Sequence, residues 1–575
     1  MNTVTFSNQQ VAQVFHDIAT AMEVLGEHPF KTQAYSRAAD TIANLPTSVY
    51  QHVENGTLAD LPGVGPAISA KITELLTTGT MIYRERLREQ VPDGVLDMVR
   101  VPGVGPKTAL RIYHELGISS VHGLEDAARN GRLRTLKGIG AKAEARIGQA
   151  LEARREGAER MLLGEALPLA RSLIAALRTA SGTVADLSYA GSVRRAVPTV
   201  GDIDLVAASV DFEAVINAFV ALPQVVEMQT RVEQRVDVLL QNGKRCSLFV
   251  APPNMWGTAL ALWTASAAHR ARLQTIAHEH GFTLPDTSAQ HTRDLPPAAT
   301  EEAFYALLRL PFIPPELRED WGEIEAAQAG RLPNLIELGD IRADLHTHST
   351  WSDGHNSIAE MAHVARARGY TRYAITDHSL YMGMVNGLDG ARLREQRREI
   401  DAFNAEMARQ GEEFRLLQGI EVDILPDGAL ALPDDVLAQL DWVVASPHVS
   451  LHQPRAAATE RILRAIHHPH VDCIGHPTGR MLLRRQGSDL DMTRILDAAA
   501  ETGTVLEVDG AYPRLDLDAE HVKRAVSMGI KIAIDSDAHG IGDLPNIEYG
   551  VLTARRGWAE ANDVVNYQLA SINEQ

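Results

Sequence analysis

From residue 340 to the end of the chain, short apolar runs finish one after another in histidine or carboxylate. "IRADLHTHSTWSDG" carries His346, His348 and Asp353, "YAITDHS" carries Asp377 and His378, and "LLQGIEVDIL" carries Glu421 and Asp423. "DWVVASPHVS" follows with His448, "DCIGHPTG" with His476, "TVLEVDG" with Glu507 and Asp509, and "IAIDSDAH" with Asp537 and His539. Stretches such as "SIAEMAHVARARG", "MTRILDAAAETG" and "AEHVKRAVSMG" separate them, with apolar residues at helical spacing. Strand, helix, strand with polar residues at the strand C-termini predicts a barrel with its site on that face. Alternation along an extended run puts His346 and His348 on one side as a chelating pair. A single histidine is ordinarily a structural hydrogen-bonder, but six ending successive strands are not. Imidazole and carboxylate without thiolate suit Mn²⁺, Zn²⁺ or Fe²⁺. Several ions sharing Glu421 as a bridge would hold a hydroxide for attack on a phosphoester.

The remaining residues are too many for one core, and 575 residues imply about three to five domains. No run of about 20 apolar residues occurs, and "MNTVTFSNQQ" lacks the basic-then-apolar order of a signal peptide. A soluble cytoplasmic protein without membrane contact is expected, and a monomer, since no oligomer signal stands out. Cys246 and Cys473 are the only cysteines, which excludes a disulfide framework and a thiolate zinc site. The formal charge of −19 argues against nucleic acid until it is divided. Residues 1–160 hold 18 Lys+Arg and 18 Asp+Glu, so the acid excess lies further along.

In that neutral third, one pattern recurs: "LPGVGPAISAKITELLTTG", "VPGVGPKTALRIYHELG" and "LKGIGAKAEARIGQ". Each has two glycines two apart, Gly63 and Gly65, Gly103 and Gly105, Gly138 and Gly140, ahead of an apolar helix. Pro62 and Pro102 precede the first two pairs. The glycines permit a tight turn from which backbone N–H groups at a helix start point at an anion. This is similar to the helix-hairpin-helix element that grips the DNA backbone, with Lys107 beside the second turn, and such contacts are indifferent to base sequence. Lys71, in the helix after the first turn, matches the Schiff-base lysine of a sugar-phosphate lyase; a surface or phosphate-contacting lysine is the other reading.

The centre of the chain holds "GSVRRAVPTVGDIDLVAAS". Alternation in "GDIDLV" puts Asp202 and Asp204 on one face of a strand, as a pair of Mg²⁺ or Mn²⁺ ions requires. Gly191 and Ser192 would offer donors to a nucleotide's phosphates, Arg194 and Arg195 would neutralise them, and Gly201 is the remaining candidate contact to the nucleotide.

With these residues the chain resembles the bacterial family X DNA polymerases across essentially its full length, through the hairpins, the GS…GDIDLV palm and the segment "GTALALWTASAAHRARLQTIAHEHGF". The C-terminal region resembles a PHP domain, the metal-dependent phosphoesterase fused to those polymerases. The resemblance implies an N-terminal α-helical domain with helix-hairpin-helix motifs, an α+β nucleotidyltransferase palm and thumb, and a C-terminal (β/α)7 barrel. Expected boundaries are 1–80 and 81–157 for the helical domains, 158–257 for the palm, 258–325 for the thumb, 326–339 for a linker and 340–575 for the barrel. It implies nine metal ligands: His346, His348, Asp353, His378, Glu421, His448, His476, Asp537 and His539. All nine are present. The implied activity is Mn²⁺-dependent 3′–5′ exonuclease action on DNA in base excision repair, with abasic-site cleavage and 3′-phosphate removal. Arg480 and Arg484 or Arg485 would hold the DNA phosphate or form surface ion pairs.

The palm departs from the family. Its third carboxylate belongs to a V-D-L-R strand before a "PP" turn, where this chain has "RCSLFVAPP", with Ser247 for the aspartate and Phe249 for the arginine. A "TGS" turn becomes "TAS" at Thr264–Ser266, and Arg270 and Gln274 stand where nucleotide- and template-positioning residues occur. Gap filling with dNTP is therefore in question. "EQRVDVLLQNGKRCSLF" reads as a hairpin around Asn242–Gly243, which sets Asp237 roughly opposite Leu248. There it is either a substitute third carboxylate or a surface one. The alternative to a working palm is a nuclease whose palm serves as a DNA clamp.

Overall fold

The computed structural model describes residues 6, 8–43, 45, 48–99, 101, 103–284, 297–381 and 385–568. The opening MNTVT and Pro102 lie outside them. No described helix is long and apolar enough to cross a membrane. The chain divides into two compact units, Met1–Ala158 and Glu159–Gln575.

The first unit is helical. Each glycine pair adopts the same turn: Gly63, Gly103 and Gly138 have φ of +76°, +92° and +92°, which only glycine takes without strain. Gly65 and Gly105 are the N-caps of the helices Pro66–Thr78 and Pro106–Leu116, each with proline at its first position. Neither cap is filled by a side chain. The residue between the glycines (Val64, Val104 or Ile139) is buried in the helical core and anchors the turn. The third copy differs. The first turn of Ala141–Glu159 contains Glu144, whose buried carboxylate accepts from the Leu133 and Arg134 amides and from Arg134 Nε.

Two larger sheets form in the second unit among the described residues. The palm sheet contains β1 (Asp186–Tyr189), β2 (Ile203–Ala208), β3 (Val225–Val232), β4 (Arg235–Leu240) and β5 (Arg245–Ala251), in the order β1-β2-β5-β4-β3. β2 and β5 run parallel, and β4–β5 is the antiparallel hairpin around Asn242–Gly243. Gly243 has φ of +74° in its turn. The helices Trp256–Thr264, Ala267–Glu279 and Glu301–Leu307 make up the thumb-like part. Arg194 joins palm to thumb through Glu301 at 2.6 and 2.9 Å, and the fully buried Arg318 reaches Glu301 at 2.6 Å.

The C-terminal sheet contains β6 (Ala343–Asp344), β7 (Arg372–Ile375), β8 (Arg415–Asp423), β9 (Trp442–Ser446), β10 (Cys473–Ile474), β11 (Val505–Asp509) and β12 (Ile532–Asp535). They stand in sequence order, each parallel to the next. A parallel bridge between Thr347 and Ala538 draws the first and last strand ends together, giving a nearly closed barrel. Its interior is plugged by Ala343, Leu345, Ala374, Trp442, Val444, Cys473, Val505 and Ala533. Helices cover the outside over a continuous apolar layer. Each fully buried aliphatic side chain there, such as Ile420 or Val422, contributes about 1.5–3 kcal/mol. The plug leaves the C-terminal strand ends as the polar mouth.

The segment 326–339 is packed against the barrel. Leu335 and Ile336 are buried, and the Ile336 amide donates to the Ala559 carbonyl. Palm and barrel share a core: Leu515, Tyr512 and Tyr549 lie in one apolar cluster with Leu163, Leu167 and Leu205. A Cβ on Gly164 would meet Tyr512 Cγ at 2.1 Å, so that helix needs glycine there. Arg171 pairs with Glu548 alongside.

Candidate metal centre and palm site

At the barrel mouth the sequence puts a ligand at nearly every strand end, and the fold turns them inward. Glu421, buried on β8, is the hub. His378 Nδ1 lies 2.7 Å from its Oε2; His448 Nε2 and His476 Nε2 lie 3.0 and 2.9 Å from Oε1. His346 Nε2 and His348 Nε2 stand 3.4 and 3.7 Å away. Asp537 Oδ1 is 3.1 Å from His348 Nε2, and Asp353 spans His378 Nε2 and His539 Nε2 at 3.6 and 3.7 Å. Three groupings bring donor atoms close enough to hold a cation: His348, Asp353, His378 and His539; His346, His348 and Asp537; and His378, Glu421 and His448. His476 joins them through Glu421.

These donors fit a multi-metal centre on chemical grounds. Among the described residues, His348 Nδ1 and His476 Nδ1 are buried and make no hydrogen bond, while His346 Nε2 and His378 Nδ1 have only Glu421 and Asp537 within ion-pair range. Leaving such groups unpaired costs about 1–3 kcal/mol each, and divalent cations would remove that cost. Burial opposes charge on Glu421, yet the imidazoles around it hold its carboxyl well below the usual range. The backbone is bent to the same end: His476 and Asp537 have φ of +25° and +49°, unusual for side-chain-bearing residues.

Behind the ligands stand the other strand-end acids. Glu507 Oε1 accepts from His346 Nδ1 at 2.6 Å and Asp423 Oδ1 from His448 Nδ1 at 2.9 Å, which frees each Nε2 to face Glu421. Burial disfavours charge on His448, but Glu421 and Asp423 win and push its pKa up to about 10. Burial raises Glu507 to about 7 against the pull of His346. Asp377 accepts from Ser349, Ser352 and Gln396 and so fixes the turn that carries Asp353.

One cation at this centre escapes a reading of strand ends. Arg514, on the loop after β11, places Nε 3.4 Å from Asp509 and 3.7 Å from the ligand Asp537. Its only signal in the sequence is a basic residue in a loop following two acids. Two of the arginines after His476, Arg480 and Arg485, are spent otherwise, while Arg484 is exposed. Arg480 donates to the Arg514 and Leu515 carbonyls, and Arg485 to the Gly479 carbonyl.

In the palm, Asp204 on β2 lies against Gly191, whose φ is +57° and whose Cβ would meet Asp204 Oδ2 at 2.0 Å. Burial, then Asp202 beside it, push Asp204 up to about 7. Its side chain makes no hydrogen bond to the described residues, so this pair also suits a cation. Arg194 and Arg195 are engaged: Arg195 Nε donates to Glu319 at 2.8 Å and its Nη1 to the Thr264 carbonyl. Ser192 sits in the short helix Gly191–Arg194 and Gly201 in the bend before β2. Arg270 donates to the Ala265 carbonyl and Gln274 to that of Leu284.

The register of Asp237 corrects the sequence expectation. It pairs across the ladder with Ser247, not Leu248, because three residues, Gln241 to Gly243, and not two, separate the paired strands. Asp204 also pairs with Ser247. Directly paired residues share a face, so Asp237 stands on the face of Asp204. In the helical unit, Lys71 Nζ donates to the Ala67 carbonyl and lies 5.9 and 5.2 Å from the Tyr35 and Tyr83 ring centres.

Four family descriptions match parts of the chain. Residues 6–81 match a helix-hairpin-helix domain and 95–153 a SAM-like helix-hairpin-helix tandem. Residues 259–319 match a DNA polymerase beta thumb and 344–534 a PHP domain. The chain is 37% identical over 562 residues, 97% of each protein, to the DNA polymerase/3′-5′ exonuclease PolX of Bacillus subtilis (strain 168). Over 244 residues, 40% of this chain and 92% of the relative, it is 30% identical to a probable phosphatase of Thermoanaerobacter sp. (strain X514). A probable phosphatase of Photobacterium profundum is 30% identical over 220 residues, 36% of this chain and 81% of that one.

Proposed function

The chain belongs to the bacterial family X DNA polymerases that carry a PHP domain, and from that premise we propose that it is a DNA repair enzyme trimming and refilling gaps, nicks and 3′ ends. The helix-hairpin-helix turns hold the sugar-phosphate backbone, the barrel mouth hydrolyses phosphodiesters from the 3′ end, and the palm accepts dNTP. The observation that carries the nuclease reading is the ring of buried imidazoles and carboxylates converging on Glu421.

His346, His348, Asp353, His378, Glu421, His448, His476, Asp537 and His539 would hold the ions, with Mn²⁺ proposed and Zn²⁺ or Fe²⁺ as rivals for the same donors. Such ions supply Lewis acidity toward a phosphodiester and acidify water. The chain's own part is orientation. Glu507 and Asp423 fix two imidazoles, Asp377 fixes the turn of Asp353, and Arg514 offers its guanidinium to a phosphoryl oxygen. In the palm, Asp202 and Asp204 would hold Mg²⁺ or Mn²⁺. Lys71, seated over two tyrosine rings, is read as a phosphate contact.

A second reading keeps the nuclease and makes the palm a non-catalytic clamp. The uncharged Ser247 favours it.

The test is Mn²⁺-dependent digestion of a 5′-labelled gapped duplex. The unmodified chain should shorten the 3′ end stepwise, His346→Ala/His348→Ala should not, and Arg514→Ala should raise KM. Hydrolysis of p-nitrophenyl phosphate with no action on any oligonucleotide would replace the DNA reading with a small-ester phosphatase.

A further inference from the structure

The two side chains missing from β5 have counterparts on the strand beside it. Ser247 occupies the aspartate's place and Phe249 the arginine's. Across the ladder Ser247 pairs with Asp237 and Phe249 pairs with Arg235. A serine and a phenylalanine in the places of an acid and an arginine are thus opposed in register by an acid and an arginine two residues apart. The charge of the face is unchanged, and only the strand that carries it differs.

Adjacent strands lie about 4.8 Å apart, so a displaced side chain must lean across to be of use. Asp237 does. Its Oδ1 accepts from Ser247 Oγ at 2.7 Å, close to the place a carboxyl group on residue 247 would fill. Arg235 leans the same way, with Nη2 3.4 Å from Ser247 Oγ and its guanidinium 5.1 Å from the Trp263 ring centre. That ring stacks on Phe249 at 5.2 Å. Arg235 Nε donates to Asp237 Oδ1 at 2.8 Å, and Thr230 secures Oδ2. The carboxylate is therefore fixed from three sides, by Ser247 on β5, Thr230 on β3 and Arg235 on its own strand. Asp204, paired with Ser247 from the other flank, has a side chain with no hydrogen-bond partner among the described residues, and Gly191 leaves it nowhere to retreat.

We infer that Asp237 is the third carboxylate of this palm and Arg235 its companion arginine, both delivered from β4 in place of β5. This rests on the polymerase half of the proposed function. In the reaction, the primer 3′ oxygen gives its proton to a carboxylate of the site and bonds to the α-phosphorus of the dNTP, whose bond to the bridging oxygen breaks as pyrophosphate leaves. Asp237 completes the negative cradle with Asp202 and Asp204 on the side of the primer.

The experiment uses the full chain carrying His346→Ala/His348→Ala to silence trimming. It reads two signals: one-nucleotide filling of a gapped duplex, and Mn²⁺·dNTP affinity by electron paramagnetic resonance. Asp202→Ala marks the filling as the palm's. Asp237→Asn should lower filling about 100-fold and weaken Mn²⁺·dNTP binding. Adding Ser247→Asp to Asp237→Asn should restore both, which no loss of a merely structural hydrogen bond would allow. Filling unchanged in Asp237→Asn overturns the inference. So does a parent that fills nothing, whether or not Ser247→Asp revives it, since the acid on β4 would then be no substitute. Trimming by the chain with both histidines intact, on the same DNA, reports separately on the nuclease reading.

Discussion

Replacing Glu301 with glutamine should destabilise the Glu159–Gln575 unit by about 3–5 kcal/mol, the usual cost of stripping a partner from a buried ion pair. The carboxylate neutralises two guanidiniums, Arg194 at 2.6 and 2.9 Å and Arg318 at 2.6 Å. Arg318 is 0% exposed and Arg194 16%, so water replaces little of what is lost. A single pair at about 4 Å is worth roughly 4 kcal/mol at an effective dielectric of 20. Glutamine keeps the shape and one acceptor, but turns an amide donor toward a guanidinium. Urea unfolding followed by tryptophan fluorescence should show the second unit's midpoint falling, while Glu302→Gln, on the exposed side of the same helix, leaves it in place. The pH dependence has a definite sign. Burial opposes ionisation of Glu301, but its hydrogen bond from Arg194 and the charge of Arg318 hold its pKa below the ordinary 4.5. The stabilisation is then complete above about pH 4.5 and is lost as pH falls through the depressed value. The variant should lack that acid-side loss. A shift below about 1 kcal/mol, or an unchanged acid profile, would refute the claim that Arg194 is chiefly a strut between palm and thumb.

Three further outcomes are expected. Asp423→Asn keeps the hydrogen bond to Ser379 but removes the charge behind His448, and should weaken ion binding at the barrel about 10–100-fold in chelator competition; equal affinity would make Asp423 a packing residue only. Gly103→Ala forces a Cβ onto a φ of +92° and within 3.3 Å of Ile147, so it should weaken DNA binding at low salt, whereas Lys107→Glu should mainly flatten the salt dependence, by about one unit of slope if Lys107 meets one phosphate.

The barrel was legible because its signal is periodic. Ligands recur at strand ends, and parallel topology brings all such ends to one mouth whatever the details of packing. His346 through His539 therefore converge as their spacing suggests. The glycine turns were legible for a similar reason, since a left-handed φ leaves glycine as its mark. What spacing does not carry is the partner of a charged group. Arg195 reads as a phosphate ligand until Glu319 is seen beside it, and nothing in the spacing around Glu144 tells that its carboxylate closes on two amides. Register is harder still. Whether Asp237 faces Ser247 or Leu248 depends on a single residue in the turn after β4, and one step decides which face of the sheet it occupies. Arg514 lies in an irregular loop, where neither period applies.

The loop bearing Arg514 has a bearing on what evolution can remove. Its flanks, Tyr512 and Leu515, are sunk in the palm's apolar core, and Gly164 is hollowed to receive one of them. A mutation that silences nucleotide transfer costs the lineage one reaction. Excising the silent half would uncover Leu515 and Tyr549 and free the loop that carries a guanidinium to the barrel mouth. Decay of the palm's chemistry and deletion of the palm are thus separate events, and only the first is open to a chain that still needs its nuclease.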